Sequence, residues 1–198
     1  MAGRRPLVIV IAGPNGAGKS TTAPSLLRDA LQVSEFVNAD TIAGGLSAFR
    51  PDSVAIPAGR AMLERIRHLA KAEADFAFET TLASRTFAPW LAGLKRSGYH
   101  VHVLFLWLES ADLAVNRVAA RVRLGGHDVP EGTARRRYKR GLRNLFGLYT
   151  PLADSWQVFD NSCAERPQLV ASGHGGSGEQ VANAPIWQRI TEVYREQP

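Results

Sequence analysis

Gly13-Pro14-Asn15-Gly16-Ala17-Gly18-Lys19-Ser20 decides how this chain is read. It follows the apolar run Leu7-Val8-Ile9-Val10-Ile11-Ala12 and opens a segment of helical character. Glycines at these spacings let the backbone turn tightly and aim successive N–H groups into one concavity at a helix N-terminus, where phosphate oxygens bind. The stretch is a complete phosphate-binding loop. Gly13, Asn15, Gly16, Ala17, Gly18 and Thr21 are its nucleotide-binding candidates, Lys19 reaches the β- and γ-phosphates, and Ser20 offers its hydroxyl to Mg²⁺. Pro24, in the second turn of the helix, removes the hydrogen bond to the Ser20 carbonyl and predicts a bend or a short first segment.

Working outward, five segments read as strands: Leu7 to Ala12, Glu35 to Asn38, Phe76 to Glu79, Val101 to Leu108, and Trp156 to Asp160. Segments of helical length separate them, which predicts an α/β fold with a five-stranded parallel sheet covered by helices. Helices are expected over Asp52 to Lys71, with Ile56, Met62, Leu63, Ile66 and Leu69 on its apolar side, and over Thr86 to Ser97, Glu109 to Leu124, Glu131 to Gly147 and Pro185 to Tyr194. Gly125-Gly126-His127-Asp128-Val129-Pro130 interrupts two of them, and a helix, glycine break, helix arrangement suits a hinged cover. Beyond Asp160, the stretch 172–178 reads as a turn joining Leu169-Val170-Ala171 to Val181.

The 198 residues fit a single domain over 1–198 with one core. One cysteine, Cys163, excludes an internal disulfide and fits a reducing cytoplasm. The apolar run after Arg4-Arg5 ends at once in the glycine loop, so it reads as a first strand and not as a signal segment. No apolar stretch is long enough to span a bilayer. The net charge of +6 is concentrated: residues 117–143 hold nine basic side chains against two acidic ones. Such a segment points to a focused anion site, and the glycine loop makes polyphosphate its economical partner.

In a parallel α/β sheet the cleft lies outside the carboxyl ends of the strands. That rule gathers the glycine loop, Asn38-Ala39-Asp40, Glu79-Thr80-Thr81 and Asn161-Ser162 at one place. Asp40 is the candidate general base toward an acceptor hydroxyl; its alternative is to cap the helix beginning at Thr41. Glu79 orients a substrate or a metal-bound water, or else pairs with an arginine. Thr80, Thr81, Ser84 and Arg85 follow it as lining for an acceptor pocket. Arg117 and Arg121 share one helix face and fit stacking on a base or stabilising the transferring phosphoryl, and Arg121 is taken as catalytic with Asp40 and Lys19. Arg117 and Asn161 join the nucleotide set. On the second helix Arg136, Arg140 and Arg143 share a face opposite a Tyr138, Leu142 and Leu145 stripe that reads as core. Some of Arg135, Arg136, Arg137 and Lys139 must be solvated surface.

The blocks Ala12 to Thr21, Phe36-Val37-Asn38-Ala39-Asp40, Phe76-Ala77-Phe78-Glu79-Thr80-Thr81-Leu82, Gly125 to Pro130 and Arg136-Arg137-Tyr138-Lys139-Arg140-Gly141-Leu142 together resemble the zeta-toxin family of P-loop kinases, in its compact bacterial form. The resemblance implies an adenylate-kinase-like fold with a helical lid at about 117–143. It implies a kinase that uses ATP and Mg²⁺ to phosphorylate an alcohol, as characterised toxins phosphorylate the 3′-hydroxyl of UDP-N-acetylglucosamine. By the same resemblance Lys19 binds the transferring phosphate, Asp40 is the base, Glu79 and Thr81 hold the sugar nucleotide, and arginines of the Arg117 to Arg140 region clamp the phosphates. Asn38, Arg85, Arg136 and Arg140 join Glu79 and Thr81 as the substrate-binding candidates, and a protein antitoxin is the partner to look for.

Two alternatives have different signatures. The glycine loop also looks like that of transport ATPases, but Gly44-Gly45-Leu46-Ser47 and Leu124-Gly125-Gly126-His127 do not supply their second signature. A nucleotide-dependent nucleic-acid binder would use the basic helix without transferring phosphate, yet the aromatic interleaving of a single-strand platform is missing.

Overall fold

The computed structural model describes residues 4–25, 27, 32–48, 50–126, 128–163, 166–175 and 178–195. His127, the residues just after Pro24's turn, and the tip of the 172–178 turn lie outside them.

β1 (Leu7–Ala12) is buried on both faces because its alternate side chains feed two separate cores. Val8, Val10 and Ala12 join the larger cluster, while Ile9 and Ile11 pack with Ala23 and Leu27 on the other side. A strand with no polar face belongs in the middle of a sheet. β3 (Phe76–Thr80) pairs with it in parallel on one side and β4 (His100–Trp107) on the other. β2 (Glu35–Val37) adds to β3, and β5 (Ser155–Asp160) to β4, both in parallel.

These five are the predicted strands, and the sheet continues past them. β6 (Gln168–His174) and β7 (Gln180–Val181) add antiparallel, giving seven strands in the order β2-β3-β1-β4-β5-β6-β7. The expected parallel five is thus the parallel part of a larger mixed sheet. Its extension follows from the hairpin foreseen between Leu169-Val170-Ala171 and Val181.

Helices cover both faces. α3 (Ala55–Lys71) and α4 (Phe87–Arg96) bury Met62, Ile66, Leu69, Leu91 and Leu94 in the large core, and α8 (Ala184–Arg195) adds Trp187, stacked on Trp156 with ring centroids 5.8 Å apart. α1 (Lys19–Ser25), with Pro24 inside it, and α5 (Ala111–Arg123) cover the opposite face. α2 (Ala39–Leu46) follows β2, and a 3-10 turn over Pro51–Val54 precedes α3 where the sequence suggested continuous helix. Ile56, expected on the apolar side of α3, is instead exposed.

α5 ends in a Schellman motif, with Gly126 N–H donating to the Arg121 carbonyl and Gly125 N–H to that of Val122. Gly125 takes φ +83°, and a side chain on Gly126 would collide with Arg121. The glycine break is therefore a tight cap that fixes Arg121. α6 (Glu131–Asn144) is likewise anchored: Ala134, Tyr138, Gly141 and Leu142 are buried, and the Tyr138 hydroxyl donates to the Leu108 carbonyl at 2.7 Å. Burial pushes that phenol up to about 12. The helix does not run on to Gly147 as such. It passes into a π turn over Leu145–Tyr149 and α7 (Thr150–Leu152). In this conformation the two arginine-rich helices expected to form a cover pack as one wall of the cleft. Among the described residues no helix is long and apolar enough to cross a membrane.

Candidate active site

The carboxyl ends of β1, β2, β3 and β5 open on one side of the sheet, and the glycine loop leaves β1 at the switch point between β3 and β4. A Cβ on Gly13 would sit 2.4 Å from the Leu106 carbonyl oxygen, so only glycine lets the loop approach β4 this closely. Ala17 is fully buried against Leu104, Leu106 and Ala114, and its carbonyl accepts from Asn161 Nδ2 at 2.8 Å. Gly13, Ala17 and Asn161, predicted as nucleotide contacts, line neither cavity. They set the loop's shape.

Two cavities meet over Lys19. One, of about 590 Å³, is lined by Gly16, Gly18, Ser20, Thr21, Arg117 and Arg121. The other, of about 540 Å³, is lined by Thr80, Thr81, Thr133, Arg136, Arg137 and Arg140. Asn15, Lys19, Asn38, Ala39, Asp40 and Glu79 border both. One wall carries the phosphate loop and two arginines, and the other carries three arginines and three threonines.

At the junction Lys19 is only 6% exposed, with Nζ donating to the Pro14 carbonyl at 2.9 Å and lying 3.5 Å from Glu79 Oε1. Burial lowers the Lys19 pKa, and Glu79 and Asp40 oppose that shift while Arg121 adds to it. These groups therefore feel one another across the same space. Glu79 Oε2 accepts from Ser20 Oγ at 2.7 Å and from Asn38 Nδ2 at 2.6 Å.

Asn38, read as a substrate contact, is the N-cap of α2. Its Oδ1 accepts from the backbone N–H groups of Asp40 and Thr41, so its amide is committed at both ends. That disposes of the capping alternative for Asp40, which lies exposed in the first turn of α2 and borders both cavities. Arg117 donates to the carbonyls of Asn161 (2.8 Å) and Ser162 (2.8 Å), which holds it on the wall of the first cavity. Arg85 lines neither cavity. It follows the turn at Leu82, where φ is +55°, and is exposed. Arg135 is solvated surface, paired with Asp112 and Glu131.

Arg137 was not singled out from sequence, yet its Nη1 donates to Asn15 Oδ1 of the phosphate loop at 3.3 Å and it lines the second cavity. A signal existed. Positions 134, 137, 138, 141 and 142 form the inward stripe of α6, so Arg137 is the arginine placed on the packed side.

Among the described residues no three His, Cys, Asp or Glu side chains are grouped to hold a metal by themselves. Ser20 Oγ beside Glu79 Oε2 still suits Mg²⁺, which takes one or two protein oxygens and fills its shell with phosphate and water.

This sheet order, with a phosphate loop at its switch point and carboxylates and arginines at the same end, defines the α/β fold of the P-loop kinases. Residues 8–144 match the family described as an AAA domain, and the chain belongs to that family. It is 30% identical over 130 residues to an uncharacterized protein of Haemophilus influenzae, covering 66% of this chain and 91% of that one. Among solved structures it is similar to the AvrRxo1-ORF1:AvrRxo1-ORF2 complex with sulphate ions, at TM-score 0.74 and 17% identity over 96% of this chain, and spans 64% of the length of that chain. The same complex has been solved with ATP, at TM-score 0.72 and 18% identity, with 96% and 64% of the two chains covered. It is similar as well to the PezAT chromosomal toxin-antitoxin system of Streptococcus pneumoniae, at TM-score 0.66 and 13% identity over all of this chain and 82% of that one.

Proposed function

We propose that this protein is a kinase that transfers the γ-phosphoryl group of ATP to a hydroxyl of a small anionic molecule. The observation that carries this reading is the meeting of two cavities over Lys19, with Asp40 and Glu79 on the shared border. ATP occupies the first cavity, its phosphates on the backbone N–H groups of the glycine loop and on Lys19, with Arg117 and Arg121 alongside. Ser20 and Glu79 would hold Mg²⁺ there, and the ion would supply charge neutralisation at the phosphates. The acceptor fills the second cavity, where its hydroxyl reaches Asp40. Asp40 takes the hydroxyl proton as the oxygen bonds to the γ-phosphorus, the bond to the β,γ-bridging oxygen breaks, and ADP leaves.

Arg136, Arg137 and Arg140 with Lys19 favour an acceptor that itself carries phosphate, and threonine hydroxyls suit a sugar. UDP-N-acetylglucosamine, which the zeta-toxin motifs suggest, is the first acceptor to try. The same reading sets the enzyme in the cytoplasm and extends to a protein antitoxin as partner.

Incubating the protein with γ-labelled ATP, Mg²⁺ and either UDP-N-acetylglucosamine or a cell metabolite extract tests the reading. A labelled small molecule should form with the wild type and not with Asp40→Asn, which still binds ATP. Lys19→Ala should lose nucleotide affinity as well. Full transfer by Asp40→Asn would remove the assigned base, and no labelled product from any extract would remove the kinase assignment.

A further inference from the structure

The loop that leaves β3 is held in a conformation its residues would not adopt unaided. Leu82, fully buried, has φ +55°, a left-handed backbone that a bulky side chain seldom takes. Beside it Thr80 Oγ1 accepts from the Leu82 N–H at 3.1 Å, and Thr81 Oγ1 accepts from the Ala83 N–H at 3.4 Å. A hydroxyl that accepts from the backbone keeps its proton to give elsewhere. Thr80, Thr81, Ala83 and Ser84 together line the cavity assigned above to the acceptor.

Two carbonyls of that turn are caught by side chains that line neither of the two cavities. Asn144 Nδ2 donates to the Leu82 carbonyl at 2.6 Å, and the Tyr149 hydroxyl donates to the Ser84 carbonyl at 3.0 Å. Both donors are buried. On an α-helix, residues five apart point about 140° from one another at 100° per residue. The turn between these two is a π turn, with the Thr150 N–H donating to the Leu145 carbonyl, and its wider winding brings residues five apart toward one side. Such turns occur frequently at functional sites, and this one delivers a pair of donors to a single loop.

We propose that Asn144 and Tyr149 are positioning residues for the acceptor: they fix the turn at Leu82, and the turn presents the Thr80 and Thr81 hydroxyls to a ligand in the second cavity. The proposal rests on that cavity being the acceptor site. The π turn continues directly from α6, which carries Arg136, Arg137 and Arg140 on the same cavity. One helical segment therefore sets both the arginines and the hydroxyl-bearing loop, so their spacing is fixed before a ligand arrives, and less ordering is left to be done on binding.

Two variants test this. Tyr149→Phe removes one oxygen and keeps the buried ring, and Asn144→Leu removes the other donor at similar size. Hydrogen exchange of the unliganded protein, read by mass spectrometry, should show the amides of residues 80–86 exchanging about tenfold faster in either variant, with residues 13–21 unchanged. In transfer from ATP to UDP-N-acetylglucosamine, or to the labelled acceptor found in a metabolite extract, either variant should raise KM for the acceptor about fivefold, the size of one net hydrogen bond. The kcat and the KM for ATP should stay within about twofold of the wild type, the signature of lost ground-state contacts. Val170→Ala, a core truncation on β6 four strands from β3, should lower the melting temperature at least as much and leave the acceptor KM in place. If Asn144→Leu does not fold, Tyr149→Phe decides alone. Unchanged exchange of residues 80–86, or an acceptor KM that follows the melting temperature through all the variants, would overturn the positioning role and leave the kinase standing. Absence of transfer by the wild type to any acceptor would sink the kinase reading and this role with it.

Discussion

Ser20 donates its hydroxyl to Glu79 Oε2 at 2.7 Å, and Asn38 Nδ2 donates to the same oxygen at 2.6 Å. That one carboxylate oxygen ties the start of α1, the cap of α2 and the end of β3 together, while Oε1 faces Lys19. Replacing it with an amide puts a neutral, partly donating group where two donors and a cation now converge. Glu79→Gln should raise the Mg²⁺ concentration needed for half-maximal nucleotide binding about tenfold, the size of effect expected when a partner of a metal ligand is lost. Ser20→Ala should do the same, and the two together should cost less than the product of the single effects because they act through one contact. Titration of nucleotide affinity against Mg²⁺ checks this, and additive effects would show that the pair does not act as a unit.

At the other end of the sheet, His102 Nδ1 lies 2.8 Å from Ser155 Oγ, which is also 2.9 Å from His100 Nε2. Burial, with the neighbouring His100 charge, pushes the His102 imidazole down to about 4. The unfolded chain therefore binds a proton near pH 6.5 that the folded chain refuses until about pH 4. Stability should be steady above pH 6.5 and fall as the pH drops through this window, by up to about 3 kcal/mol. Denaturant midpoints at pH 7 and pH 4.5 measure it. His102→Gln should flatten the profile, and an unchanged slope would place the titration elsewhere.

The parallel core and the site's location were legible because both follow from local rules. An unbroken apolar run such as Leu7 to Ala12 has no wet face, so it fixes the central strand, and the glycine loop then fixes which end of the sheet is the cleft. What each polar side chain does there was less legible, since it depends on partners distant in sequence. Asn38 and Asp40 are two residues apart in one motif and border the same two cavities, yet the amide of the first is consumed capping α2 and bracing Glu79 while the second lies exposed in the first turn. Arg136 and Arg137 are adjacent, and only helix phase relative to Tyr138 separates a rim residue from one that reaches Asn15. The exposure of Ile56 escaped periodicity because the 3-10 turn at Pro51–Val54 resets where α3 begins.

α6 approaches the end of β3 through a glycine. A Cβ on Gly141 would lie 2.5 Å from the Thr81 carbonyl oxygen, and backbone cannot move aside as a flexible side chain would. Gly141→Ala gains helix propensity of about 1 kcal/mol but must push the helix outward, an overpacking cost of about 1–3 kcal/mol. The net should be a loss of stability, together with displacement of Arg136, Arg137 and Arg140 from the second cavity. Thermal denaturation reads the first effect. The second should show as a raised KM for the acceptor with little change in ATP affinity, whereas equal loss toward both substrates would mean the glycine loop had moved too.

Asn161 braces the phosphate loop from outside the cavities. Its Nδ2 donates to the Ala17 carbonyl at 2.8 Å, its own carbonyl accepts from Arg117, and a Cβ on Gly18 would come within 2.8 Å of that same Nδ2. Asn161→Asp keeps the shape and removes the donor, setting a carboxylate oxygen against the Ala17 carbonyl and adding a negative charge beside the polyphosphate site. Losing one hydrogen bond and gaining one repulsion should weaken ATP binding about tenfold or more, since a single bond to a well-placed group contributes about 1 kcal/mol and an unpaired acceptor costs about as much again. Asn161→Ala, which loses the bond without the repulsion, should fall between Asn161→Asp and the wild type. Calorimetric ATP affinities rank the three. If Asn161→Asp binds as tightly as the wild type, the loop holds its shape without this brace, and the buried packing of Ala17 against Leu104 and Leu106 is sufficient to set it.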